Sequence, residues 1–231
     1  EVQDIADYVG DSLELSIQAS KTTADVIVFC GVYFIAETAK ILSPDKIVLI
    51  PDKNAGCPMA DMINAEYLRK LKAEHPRAKV LCYVNTTAEV KAECHVCCTS
   101  GNAERIVREV FQKDDEIIFA PDQHLAHYVS TQVKRNFIIW KGYCPTHVKI
   151  LPEDIAMKRA LHKDAEVIVH PECPASVSSL ADKVLSTEGM CNYIKASEAK
   201  EFIIGTEIGI LHRLKKENPG KSFYPASDWA T

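Results

Sequence analysis

The sequence predicts an α/β protein built as three pseudo-threefold-related α/β/α units, with parallel sheets around a central active site. Three observations carry that expectation. Short apolar, β-branched runs alternate with segments of helical periodicity along the whole chain. The runs are almost continuously hydrophobic, as in strands that helices cover on both faces of a parallel sheet. Finally, residue types recur at a spacing of 87 positions, and an internal repeat of that length organises a fold more strongly than any local signal.

The strand-like runs occupy 26–29, 46–50, 79–84, 117–119, 136–140, 166–169 and 201–204. Between them, apolar residues at i, i+3 and i+4 predict helices over segments that include 65–71, 103–110 and 208–214. The repeat relates Glu66 to Glu153, Tyr83 to His170, Asn85 to Glu172, Ser100 to Thr187, and Cys57 to Cys144. Its contexts align as well: Gly56-Cys57-Pro58 matches Tyr143-Cys144-Pro145. The expected units are therefore 1–76, 77–163 and 164–231. Extrapolation of the repeat expects a further strand in front of the first unit and a further cysteine just behind Thr231. Ligands of parallel α/β units bind at the carboxyl ends of strands, so Tyr83, Asn85, His170 and Glu172 are expected around a common centre.

Composition narrows the class of partner. The chain has 27 basic and 32 acidic residues among 231, a net charge of −5, so no positive field gathers nucleic acid or anionic lipid. Its longest apolar stretches fall far short of the ~20 residues a membrane helix needs. A cytoplasmic protein acting on small molecules is expected.

Nine cysteines at irregular spacing make a poor disulfide framework. Cys30, Cys82 and Cys191 sit in or beside apolar runs and are expected to be small buried hydrophobes. Cys57 and Cys144 each precede proline, which holds the thiol on a fixed turn. Two such cysteines in related units, with a third expected, suit a three-thiolate site: a [4Fe-4S] cluster with one iron open, or structural zinc as the competitor. Cys94-His-Val-Cys97-Cys98 has the look of a zinc or redox pair, but no second pair of that kind completes it, and a tightly packed loop is expected there. Cys173 is placed near the site and outside the first metal shell.

His170 and Glu172 leave a buried strand on the same side and are candidates for acid and base, with His147 reaching the same centre. His124 and His127 look like an ordinary pair at a solvated helix start. Ser12, Ser100, Ser186 and Thr187 stand at predicted helix starts, where they cap the helix, cradle an anion, or do both.

These segments, taken in order, resemble the quinolinate synthase family. The resemblance rests on Val9-Gly-Asp-Ser12, Pro51-Asp-Lys-Asn-Ala-Gly-Cys-Pro-Met-Ala60, Tyr83-Val-Asn-Thr-Thr-Ala-Glu-Val-Lys91, Cys98-Thr-Ser-Gly-Asn102, Gly142-Tyr-Cys-Pro-Thr-His147, His170-Pro-Glu-Cys173 and Gly205-Thr-Glu207. It covers essentially the whole chain. It implies three homologous α/β/α domains and a [4Fe-4S] cluster with three cysteine ligands, Cys57 and Cys144 among them. It further implies condensation of iminoaspartate with dihydroxyacetone phosphate to quinolinate, with release of phosphate and water, in NAD biosynthesis. Tyr83, Asn85, His147, His170 and Glu172 would surround the substrate, and Ser12, Ser100, Ser186 and Thr187 would hold its carboxylates or phosphate. A functional link to an enzyme that produces iminoaspartate follows. Two other readings stay open on the residues alone: a non-catalytic three-lobed module that binds a small dicarboxylate, and a thiol or zinc sensor centred on Cys94, Cys97 and Cys98.

Overall fold

A computed structural model describes residues 2–231, which form two compact units. The first runs through Asp122 and takes in Arg135–Gly142; the second comprises Gln123–Lys134 and Tyr143–Thr231.

The first unit holds α1 (Val2–Ile5), α2 (Ser12–Lys21), β1 (Val26–Val28), α3 (Tyr33–Leu42), β2 (Ile47–Leu49), α4 (Ala65–Glu74), β3 (Lys79–Tyr83), α5 (Ala88–Ala92), β4 (Val96–Cys98), α6 (Ala103–Val110), β5 (Ile117–Ala120) and β6 (Ile138–Ile139). Strands β1 and β2 form a parallel pair, and a second parallel sheet has the order β4-β3-β5-β6. Helix starts follow capping chemistry. Asp11, Asn64 and Thr87 each accept a backbone N–H three residues on, at the heads of α2, α4 and α5. Strand β5 is buried throughout, and Leu68, Val80, Cys82, Val90 and Ile118 form the core beside it.

The second unit holds α7 (Gln123–Val133), α8 (Pro152–Leu161), β7 (Glu166–Val169), α9 (Ala175–Ser178), β8 (Lys183–Val184), α10 (Thr187–Ala196), β9 (Glu201–Gly205), α11 (Ile210–Glu217) and β10 (Ser222–Pro225). Its sheet is parallel in the order β8-β7-β9-β10, the same topology as β4-β3-β5-β6. Two apolar layers flank it, one built on Ile155, Val167, Val177 and Ile203, the other on Ile168, Met190, Ile194, Phe202 and Leu214. That double cover explains why β7 and β9 read as unbroken hydrophobic runs.

The repeat is therefore structural. Strand β3 begins 87 residues before β7, β4 before β8, α4 before α8 and α5 before α9. After β8 the offset drops to 84, as α6 and α10 begin at Ala103 and Thr187. The pairing of Ser100 with Thr187 is corrected accordingly: Thr187 is the first residue of α10, whereas Ser100 lies in the turn before α6. The sheet β1-β2 is, like the pairs β5-β6 and β9-β10, two parallel strands joined by one helix, here α3. It leaves Val26, Val28, Ile47 and Leu49 half exposed on one face, and no counterpart of β3 or β4 accompanies it among the described residues.

Other expectations change in detail. Residues 96–98, read as part of a packed loop, form β4, and β8 and β10 were also unforeseen; strands of two to four residues are too short to show a period. The run 136–140 yields only Ile138–Ile139, and the helix expected from 208 begins at Ile210. Cys30 is exposed, because β1 ends before it, while Cys82 and Cys191 are buried as expected.

Gly205 is the tightest point of the second sheet. A Cβ there would stand 2.7 Å from Val169 Cγ1 and 3.1 Å from Val169 Cβ. Gly205→Ala is expected to destabilise the protein by about 1–3 kcal/mol through overpacking, seen as a lower denaturant midpoint. An unchanged midpoint would show that the two strands separate freely at that point.

Candidate functional site

The site in the second unit grows from the end of β7. Val169 is in parallel register with Gly205, and the His170 N–H donates to the Gly205 carbonyl at 2.9 Å. The chain then turns: the Cys173 N–H donates to the His170 carbonyl at 2.9 Å, and the Glu172 N–H donates to His170 Nδ1 at 3.3 Å. The turn folds the Glu172 side chain back beside the His170 ring, with both residues buried at 2–3% exposure.

A second segment meets it. After Cys144-Pro145 the chain enters a short 3-10 turn, His147–Lys149, whose entry is fixed by the Val148 N–H on the Cys144 carbonyl. Backbone N–H groups of Thr146 and His147 donate to the Cys144 sulfur. His147 Nδ1 lies 3.0 Å from Glu172 Oε2, and His147 Nε2 lies 2.8 Å from the hydroxyl of buried Thr206. The His147 and His170 rings stack at 4.6 Å and 24°. One atom each from Cys144, His147 and Glu172 falls within 4.8 Å of the others, a donor set able to hold a metal ion. His147 Nδ1 is buried and makes no hydrogen bond of acceptable angle, despite its closeness to Glu172.

Burial sets the charge states. It draws His170 down to about 3, with Glu172 opposing and His147 assisting, so the imidazole is neutral at physiological pH. With Nδ1 accepting from the Glu172 N–H, the ring proton sits on Nε2. Burial, and then the Glu172 carboxylate, push the Cys144 thiol well above its usual range; a cation beside it reverses that preference. His124, half-buried on α7 and lowered by burial and by His127, lies within electrostatic reach of Glu172. Cys173 is fully buried, its Sγ 3.5 Å from the Gly205 carbonyl.

The structure thus gathers four of the expected residues, Cys144, His147, His170 and Glu172. Two things were not foreseen. Thr206, which the sequence shows only within Gly205-Thr-Glu207, holds the far nitrogen of His147. Cys144-Pro-Thr-His147 is itself a C-x-x-H pair, separate from Cys94 and Cys97.

Of the helix-start residues, Ser186 caps α10, accepting the Gly189 N–H at 3.2 Å. Ser12 follows the true cap, Asp11, and α6 starts after Asn102 instead of Ser100. In the first unit, Tyr83 is buried at the end of β3 and Asn85 is half-buried just beyond it. Cys57 is half-buried, its carbonyl accepting the Asp61 N–H at 3.1 Å. Cys82 pairs with Cys97 in register, and the Cys94 sulfur beside it, together with burial, raises Cys82 to about 12 against an opposing contact with Cys97. A cleft of about 320 Å³ in this unit is lined by α2 residues and Thr99, with none of the candidate site residues among its walls.

Comparison with known proteins bears on these residues. The sequence model of the family described as Quinolinate synthetase A protein matches residues 1–230. The chain is 54% identical over 230 residues to the quinolinate synthase of Dehalococcoides mccartyi strain CBDB1, covering all of this chain and 76% of the relative. It is 57% identical over 226 residues to that of Thermodesulfovibrio yellowstonii, covering 97% and 74%. To that of Methanosarcina barkeri it is 53% identical over 230 residues, covering 100% and 75%. Among the described residues no helix is long and apolar enough to cross a membrane.

The thiols are graded by exposure. In the native protein Cys30 is expected to react first with iodoacetamide, and buried Cys82, Cys98, Cys173 and Cys191 only on unfolding. Peptide mapping after a timed pulse checks the order, and early labelling of Cys173 would contradict the packing at the end of β7.

Proposed function

The chain belongs to the quinolinate synthase family, enzymes of NAD biosynthesis, and from that premise we propose that it condenses iminoaspartate with dihydroxyacetone phosphate to quinolinate, releasing phosphate and water. The observation that carries the proposal is the grouping of half-buried Cys144 with buried His147, His170 and Glu172, assembled by segments that the family match spans.

We assign Cys57 and Cys144 as two thiolate ligands of a [4Fe-4S] cluster. The local chemistry at Cys144 fits: two backbone N–H groups donate to its sulfur, and a buried imidazole nitrogen without a hydrogen bond stands nearby. Such a cluster, with one iron open to an outside ligand, supplies Lewis-acid polarisation of a substrate oxygen.

The protein's own groups do the rest. Glu172, beside His147 and His170, is the group to take up and return protons as bonds form and water is lost. His170, kept neutral, offers its Nε2 proton as a hydrogen-bond donor to a developing oxyanion without bringing a charge of its own. Burial of these side chains excludes water from proton transfer. Tyr83 and Asn85, in the strand-end positions of the related unit, orient the substrate. Ser12, Ser100, Ser186 and Thr187, at or near helix starts, hold carboxylate or phosphate oxygens.

Iron and acid-labile sulfide, measured on anaerobically purified protein from the complete reading frame, are expected at about four each per chain. Cys144→Ser is expected to lose the iron. Glu172→Gln is expected to keep it while lowering kcat by roughly 10²–10⁴-fold. A chain that makes quinolinate at full rate without iron would overturn the proposal, and so would wild-type kcat in Glu172→Gln.

A further inference from the structure

Cys144, His147 and Glu172 have the arrangement of a mononuclear metal site in their own right. Cys144 and His147 have C-x-x-H spacing, the local pairing from which tetrahedral zinc sites are built. His147 Nδ1 and Glu172 Oε2 stand 3.0 Å apart. Nitrogen and oxygen bound tetrahedrally at about 2.0–2.2 Å are separated by about 3.3–3.5 Å, so opening this pair by a few tenths of an ångström admits the ion. The sulfur of Cys144 falls within the 4.8 Å that bounds the trio.

The imidazole is oriented for this role. Its Nε2 meets the hydroxyl of buried Thr206 at 2.8 Å, as the outer nitrogen of a metal-bound histidine usually meets a polar partner. With the proton on Nε2, Nδ1 turns a lone pair toward Glu172 and Cys144. A proton on Nδ1 would satisfy it only along a proper line to the carboxylate, and that line is not made: Nδ1 is buried and without a hydrogen bond. A divalent cation set among the three donors accepts the lone pair and neutralises the half-buried Cys144 thiolate and the buried Glu172 carboxylate.

We propose that the cluster-free chain binds one borderline-soft divalent cation, Zn2+ foremost, through Cys144, His147 and Glu172, with Thr206 positioning the histidine. Thiolate, imidazole and carboxylate together select zinc over magnesium or calcium, which take oxygen ligands. The site shares Cys144 with the cluster assignment above, so the two occupants exclude each other. Zinc captured there stands in the way of cluster assembly.

The test uses Co2+ as a spectroscopic stand-in for zinc, added anaerobically to the metal-free full chain. One equivalent is expected to give a near-ultraviolet thiolate-to-cobalt charge-transfer band and intensified visible ligand-field bands, both displaced by Zn2+. Cys144→Ser is expected to abolish the charge-transfer band and Cys57→Ser to leave it intact. Thr206→Val is expected to weaken Co2+ binding by about 10–100-fold, as outer-shell changes do, and Thr206→Ser to restore it; both are mild enough to keep the fold. Protein first reconstituted with iron and sulfide is expected to show no such band. The proposal is overturned if the unmodified chain gives no band, if the band survives Cys144→Ser, if Cys57→Ser removes it, or if cluster-loaded protein takes up cobalt with the same spectrum. Iron and sulfide content decides the cluster assignment separately from all of these outcomes.

Discussion

The second unit depends on how closely β7 and β9 approach where they end. Val169 and Gly205 are in register, and a side chain at 205 would press on the Val169 side chain. That contact places the His170 N–H on the Gly205 carbonyl and carries Thr206 to the point where it can meet His147. Three of the chemically important side chains thus take their positions from one strand pairing. The apolar layers on both faces of the sheet hold the pairing rigid.

Around that anchor the protein buries an unusual amount of polarity. A carboxylate and two imidazoles are packed together where water scarcely enters, with a half-buried thiol beside them. Unpaired, such groups cost several kcal/mol each to desolvate, and their grouping lets each partner another. Each one constrains another: Glu172 gives its backbone N–H to His170 and its carboxylate faces His147, while His147 is held from its far side by Thr206. Preorganisation of this kind suits proton transfer and ligand binding equally.

The two four-stranded sheets share one strand order and, over much of their length, one spacing, so the same scaffold places different residues at equivalent positions. At the end of β3 the repeat supplies Tyr83 and Asn85; just past β7 it supplies His170 and Glu172. Duplicated backbone with diverged strand ends lets a single topology contribute unlike functional groups.

Much of this was legible in the sequence. Hydrophobic runs gave the long strands because β3, β5, β7 and β9 are buried on both faces, and burial selects apolar residues without regard to neighbours. The repeat exposed Cys57, Cys144, Tyr83, Asn85, His170 and Glu172, since it compares positions and needs no contact. The shortest strands, the exposure of Cys30 and the true caps of α2 and α6 were not legible, because each depends on where a neighbouring element stops. Nor was the partnership of His147 with Thr206, 59 residues apart in the chain. The sequence by itself determined the α/β class, the repeat and the residue types at the strand ends. Which of those residues touch, which nitrogen of His147 is held and which remains for a proton or a metal were decided only by tertiary structure, because a hydrogen bond is a matter of ångströms and angles that sequence spacing does not encode.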